Sequence, residues 1–112
     1  MKMVVAIIRT EKLHEVMDSL EAAGIKSLTT SSVKGRGTQK GVIQQWRGRE
    51  YTVDLLDKTK LEIVVTDDLV DTTINTIKGS ALTGDIGDGK IFILPVENAV
   101  RIRTGTTGDK AV

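Results

Sequence analysis

The chain has 112 residues, enough for one domain with its own core, and its hydrophobic (39%) and charged (28%) fractions are those of an ordinary globular protein. A net charge of +1 and three aromatic residues, Trp46, Tyr51 and Phe92, argue against a nucleic-acid partner, which needs a basic face or a base-stacking platform. No apolar run approaches the ~18 residues of a membrane helix, no segment reads as a signal peptide, and cysteine is absent, so a cytoplasmic chain without disulfides or thiolate metal sites is expected.

Met3 to Ile8 is β-branched and nearly continuously apolar, which predicts a strand covered on both faces or at a subunit contact. Thr10 is placed to cap the helix that follows, with Glu11 in its first turn. Leu13, Val16, Met17 and Leu20 recur at three-and-four spacing along one helical face, and Gly24 supplies the stop. His14, the single histidine, has no partner ligand at helical spacing and reads as a solvated surface residue.

A second strand is expected over Ser27 to Lys34. Periodicity then vanishes from Gly35 to Tyr51, a stretch with four glycines and four cationic side chains before Glu50. Structureless loops this long are uncommon in compact domains and are either functional or disordered. The poor fit to so small a domain favours a functional loop, placed at about 37–55. Order returns with a third strand over Leu61 to Thr66. Asp67 or Asp68 then caps a second helix with the apolar face Leu69, Val70, Thr73, Ile74 and Ile77, ended by Gly79. A glycine-rich turn, Thr83 to Lys90, leads into the last strand, Ile91 to Leu94, and Pro95 suits that strand's end because it lacks a backbone donor.

Two strand–helix–strand units separated by a long loop predict an α+β, ferredoxin-like fold: a four-stranded antiparallel sheet with both helices on one face. The other face stays apolar in a monomer, so an oligomer is expected. Residues 1–112 read as one domain with a tail over about 97–112, of which Thr106 to Val112 is polar and expected to be mobile.

The strongest chemical signal is the turn from Gly84 to Lys90. Gly87 and Gly89 permit positive φ and bring backbone N–H groups to a ligand with no Cβ in the way. Consecutive amides so arranged form an anion nest, with the Lys90 charge beside it. On pattern alone a plain Asp-Gly turn is the commoner origin of Gly87-Asp88-Gly89. The segment is not a nucleotide-kinase P-loop, since the Gly-Lys-Ser/Thr ending is missing and a strand follows. Arg101-Ile102-Arg103 adds weight to the nest. In an extended segment both guanidiniums point one way and Ile102 points inward, and paired arginines suit phosphate oxygens. A solvated charged edge strand is the alternative. No catalytic constellation stands out, because no paired carboxylates sit in an apolar segment and Glu62 fits a subunit contact or ligand rim better than a base. The chain reads as a binding module, not an enzyme.

At these residues the sequence resembles the PII nitrogen-regulatory signal-transduction family along nearly its whole length. Thr83 to Ile93 resembles that family's C-terminal signature without a departure. Arg47-Gly48-Arg49-Glu50-Tyr51 resembles the core of its loop signature. Val33 to Gly37, with Gln39-Lys40-Gly41, resembles the approach to that loop, and Val100 to Gly105 resembles its ending.

The resemblance implies a homotrimer with three nucleotide sites between neighbours, for ATP or ADP. Gly87, Asp88, Gly89 and Lys90 would wrap the phosphates, aided by Gly35, Gly37 and the neighbouring Thr38. Arg101 and Arg103 would reach them from the adjacent subunit, while Thr29 and the backbone of Val64 would meet the adenine. Gln39 would hold Mg²⁺, which also binds the phosphates and 2-oxoglutarate. Lys58 would pair with the far carboxylate of 2-oxoglutarate, with Lys40 and Gly41 contributing. A dicarboxylate beside a triphosphate calls for a bridging cation. The loop would be the output, with Arg47 and Trp46 engaging an ammonium transporter, so that the protein associates reversibly with the membrane. The resemblance also implies glutamine synthetase or other nitrogen-metabolism proteins as alternative partners.

Thr10 and Asp57 stand where that family commonly has proline, Thr38 where an arginine is frequent, and Trp46 and Arg49 where a tyrosine and a small residue are usual. Arg49 removes serine phosphorylation at that position, and Tyr51 remains available for nucleotidylation. Three rival readings fit less well. An ion-binding trimer of the same fold would want the histidines and cysteines that transition metals favour. An RNA binder would want strand aromatics, and an amino-acid-binding domain would not need Lys90, Arg101 and Arg103 together.

Overall fold

The apolar run near the N-terminus forms the middle of a sheet. A computed structural model describes residues 1–37, 42–46, 49–53 and 55–112, with side chains for 1–37 and 55–112. Strands β1 (Lys2–Arg9), β2 (Thr29–Gly35), β3 (Val42–Trp46), β4 (Arg49–Val53), β5 (Leu56–Val65) and β6 (Gly89–Pro95) combine with helices α1 (Leu13–Ala22) and α2 (Val70–Ala81). Four strands make one sheet in the order β2-β5-β1-β6, with every neighbouring pair antiparallel. This is the expected ferredoxin-like α+β arrangement.

Side chains alternate across a pleated strand, so Val4, Ala6 and Ile8 of β1 share one face, and all three are buried. Thr59, Leu61, Ile63 and Val65 of β5 face the same way. Against them pack Val16 and Leu20 of α1 and Ile77 and Ala81 of α2, which closes the core between sheet and helices. Met17 and Leu69, expected on the buried helix faces, are both 36% exposed and lie at the edges of those stripes. The opposite face carries Met3, Val5 and Ile7, all half-buried, and the exposed Phe92 and Leu94.

Several sequence expectations are corrected. β5 begins at Leu56, five residues before the expected start at Leu61, which the polar run Asp57 to Lys60 concealed. Thr59 nevertheless faces the core at 4% exposure and donates its hydroxyl hydrogen to Thr10 Oγ1 at 3.2 Å. Thr10 is therefore no helix cap. It lies inside a 3₁₀ turn, Thr10–Lys12, whose N-cap is Arg9. Neither does Asp67 or Asp68 cap α2: Thr66 is the N-cap of the 3₁₀ turn Asp67–Leu69, and Asp67 instead receives the Met1 ammonium at 2.9 Å. α2 also runs through Gly79 to Ala81. A helical glycine costs about 1 kcal/mol relative to alanine, and burial of Ala81 in the core offsets that cost.

The stretch expected to lack regular structure contains a hairpin, β3 with β4, in the register Val42↔Val53 to Trp46↔Arg49. Thr38, Gln39, Lys40, Gly41 and Arg47 lie outside the described residues, and Trp46 and Tyr51 are placed by backbone alone. The tail is folded back on itself. Val100 bridges Thr107, Arg101 N donates to Thr106 O at 2.8 Å, and Gly108–Ala111 forms a 3₁₀ turn. Arg101-Ile102-Arg103 consequently enters a turn instead of an extended strand, and Ile102 is 99% exposed where an inward side chain was expected.

Candidate functional site

Three segments distant in sequence meet at one end of the sheet. They are the end of β2 with Gly35, Arg36 and Gly37, the start of β5 with Leu56 and Lys58, and the loop from α2 into β6. They enclose an open cleft of about 390 Å³ floored by Ile7 and Phe92. Of the residues expected at a nucleotide site, the structure gathers Gly35, Gly37, Lys58, Gly87, Asp88, Gly89 and Lys90 around this cleft. It does not bring Thr29, Val64, Arg101 or Arg103 to it. Val64 lies six residues beyond Lys58 on β5, roughly 20 Å along the strand, and Thr29 pairs beside it with Glu62. Arg101 and Arg103 are exposed in the tail turn.

The loop is built around Asp88. Its carboxylate accepts the backbone N–H of Thr83 at 2.8 Å and of Gly84 at 2.9 Å, together with the Thr83 hydroxyl. Arg9, at the end of β1, adds its Nε at 3.0 Å and reaches the carbonyl of Ile86 with Nη2 at 2.7 Å. Lys58 Nζ donates to the carbonyl of Gly87 at 2.8 Å. Hydrogen bonds from the Thr83 side chain and backbone, then from Gly84 and Arg9, hold the Asp88 carboxyl well below the usual carboxylate range. The side chain of Asp88 thus organises the loop, and only its backbone remains for a ligand. With the amides of Thr83 and Gly84 taken by Asp88 and that of Asp85 by Thr83 Oγ1, the amides that remain for an anion are those around Gly87.

Gly87 and Gly89 both take φ of 104°, a conformation that glycine adopts without the penalty of a Cβ and that the expected nest would need. Gly89 has a second reason to be glycine. A Cβ there would sit 1.7 Å from the carbonyl oxygen of Ile7, on the paired strand. Arg36, Lys58 and Lys90 line the cleft against Asp85 and the already bonded Asp88, an excess of positive charge that fits a phosphorylated ligand. Mg²⁺ was expected at Gln39, outside the described residues. Among the described residues no three His, Cys, Asp or Glu converge on a possible metal.

Arg9, Arg36, Ile7, Leu56 and Phe92 were not singled out from the sequence. Ile7 and Phe92 carried a signal, being apolar positions out of phase with the buried face of their strands. Arg9 carried only the fact of a cation ending an apolar strand.

The family model described as Nitrogen regulatory protein P-II matches residues 1–106. The chain belongs to the P-II family. It is 61% identical over 112 residues to nitrogen regulatory protein P-II 2 of Methanothermobacter thermautotrophicus, covering all of this chain and 97% of that one. It is 53% identical to nitrogen regulatory protein GlnK2 of Haloferax mediterranei over 99% of this chain and 90% of that one. With nitrogen regulatory protein P-II of Cereibacter sphaeroides it shares 51% over the full length of both. P-II proteins are trimeric signalling proteins that act on partner proteins, not enzymes, and the family binds nucleotides and 2-oxoglutarate.

Gly89→Ala should destabilise the protein more than Gly24→Ala. Both positions have positive φ, costing about 1–2 kcal/mol for an L-residue, but nothing lies within 4 Å of a Cβ at Gly24. Thermal unfolding of the two variants at one protein concentration measures the difference, and equal losses would remove the Ile7 approach as a constraint.

Asp88 also sets a pH dependence. Its folded pKa lies below the unfolded value of about 3.9, so its contribution to stability is complete above that value and is lost as pH falls through the folded one. The gap in Tm between the protein and Asp88→Asn should therefore be constant from about pH 5 to 8 and narrow progressively as pH falls below about 4. A gap that changes near neutrality would contradict the assignment.

Proposed function

We propose that this P-II protein is a nitrogen-regulatory sensor of ATP or ADP and 2-oxoglutarate that controls a partner, an ammonium transporter, through the segment around 37–55. The cleft carries this reading, because glycine amides at Gly87 and Gly89, the end of β2 at Gly35 with Gly37 just beyond it, and the Lys58 and Lys90 cations converge there in a chain of this family. One chain supplies half a site. The phosphates would lie on the loop of one subunit. Thr29, the Val64 backbone, Arg101 and Arg103, which line no part of the same chain's cleft, would come from its neighbour in a homotrimer.

Gln39 would carry Mg²⁺ between the phosphates and 2-oxoglutarate, and Lys58, with Lys40 and Gly41, would receive the far carboxylate. Lys58 stands on the cleft wall beside Gly87, where a carboxylate could share its three donors. Effector binding at the base of β3 and β4 would then change how Trp46 and Arg47 are offered to the transporter, with Tyr51 a place for nucleotidylation. The protein would work in the cytoplasm and visit the membrane through that partner. Among the described residues no helix is long and apolar enough to cross a membrane.

Calorimetry tests the sensor. Lys90→Ala, losing a charged hydrogen bond, should raise the Kd for ATP about ten-fold or more. 2-Oxoglutarate should give heat with Mg-ATP present and none with ADP or without nucleotide. Its binding must tighten ATP by the same factor by which ATP tightens it. Unchanged ATP affinity in Lys90→Ala, or 2-oxoglutarate binding without nucleotide, would overturn the bridged site.

Co-sedimentation with transporter-containing membranes tests the output. Binding is expected with ADP, release with Mg-ATP plus 2-oxoglutarate, and no binding for Arg47→Glu in either condition. Equal membrane association of Arg47→Glu and the unaltered protein would remove the loop as the contact.

A further inference from the structure

The register of the sheet sets Arg9 directly opposite Lys58 on neighbouring antiparallel strands, with both side chains on the face away from the helices. Like charges so placed repel. What separates them is the glycine loop. Arg9 holds the Asp88 carboxylate and the carbonyl of Ile86, and Lys58 holds the next carbonyl, that of Gly87. Arg9 and Asp88 are shielded from water, with side chains 17% and 22% exposed. The other partners of Asp88, Thr83 and Gly84, belong to the loop itself, so they shape it without fixing it to the sheet.

We infer that Arg9 is the positioning residue of the anion-binding loop: its guanidinium, clasped on Asp88 and Ile86 O, locks residues 84–89 against β1 so that the amides around Gly87 face the cleft. This rests on the proposed nucleotide reading. Two glycines at positive φ flank Asp88, and the bond from Lys58 to Gly87 O together with the pairing of Gly89 with Ile8 leaves the residues before Asp88 other conformations. Ordering them at the moment of binding would subtract from affinity. A lysine ammonium can turn about a single carbonyl, whereas the planar fork of Arg9 makes two bonds in fixed directions and so sets orientation. Arg9 touches no part of the ligand in this scheme and acts through Asp88.

The test combines calorimetry with Mg-ATP and amide hydrogen exchange of the nucleotide-free protein, for Arg9→Met, Arg9→Lys, Asp88→Asn and the Arg9→Met/Asp88→Asn pair. Arg9→Met should raise the Kd about ten-fold. Arg9→Lys should leave most of that loss, since it keeps the charge but not the fork. Effects of Arg9→Met and Asp88→Asn should overlap instead of adding, because each breaks the same contact. Exchange should quicken at residues 84–89 and stay as it was in β1 and β5. Affinity unchanged in Arg9→Met, restored in full by Arg9→Lys, or lost additively in the pair would overturn the clasp. If the unaltered protein binds no Mg-ATP, the nucleotide reading fails, and exchange alone decides for Arg9: unchanged protection at 84–89 in Arg9→Met sinks the inference. Should Arg9→Met fail to fold, Arg9→Lys supplies both measurements.

Discussion

The pairing of β1 along both of its edges is the constraint on which the rest of the molecule depends. β5 follows it from Lys2↔Val65 to Arg9↔Lys58, and β6 from Lys2↔Pro95 to Ile8↔Gly89. A slip of one residue would turn Val4, Ala6 and Ile8 away from the helices and drive Arg9 into the core. With the register fixed, the C-terminal end of β1 becomes a meeting point for Lys58 from β5, Gly89 from β6 and the loop that precedes Gly89. The cleft is the consequence of that ladder ending, and the tight passage of Gly89 over Ile7 O is its closest point.

Charge at that point is divided between two tasks. Arg9 and Asp88 neutralise one another inside the loop and are largely shielded, so they act on conformation. Lys90 and Arg36 remain exposed at the cleft, where a ligand can meet them. Left without partners at the cleft, the Asp88 carboxylate would oppose a phosphate; instead it accepts hydrogen bonds from Thr83, Gly84 and Arg9, so its charge is spent on the shape of the loop. In Gly87-Asp88-Gly89 the glycines take positive φ while the Asp88 side chain ties the loop together, which is the part of the pattern that the structure displays.

The hairpin β3–β4 was invisible in the sequence for a physical reason. Among the described residues its two strands pair with each other and not with the four-stranded sheet, and Val42, Ile43, Trp46, Tyr51 and Val53 follow no single period along the chain. The polar start of β5 hid for a related reason. Asp57, Lys58, Thr59 and Lys60 show no apolar alternation, yet Thr59 occupies an inward position because the hydroxyl of Thr10 meets it there. In the tail, Arg101 and Arg103 stand two residues apart as an extended segment would need, but a backbone hydrogen bond from Gly105 to Arg101 closes a turn around Ile102.

The sequence by itself determined the family, the four sheet strands and two helices, the buried stripes of Val16, Leu20 and Ile77, and the glycines of the loop before β6. These follow from local period and from residue types that only certain backbones accept. Only the tertiary structure decided that Arg9 answers Asp88 across 79 positions, that Lys58 reaches Gly87, that Thr10 serves Thr59 in place of a helix end, and that α2 runs past Gly79. Each of these is a choice of partner between groups far apart in the chain. Local propensities of about 1 kcal/mol or less cannot dictate such choices, whereas a fixed strand register leaves a polar side chain few partners within reach.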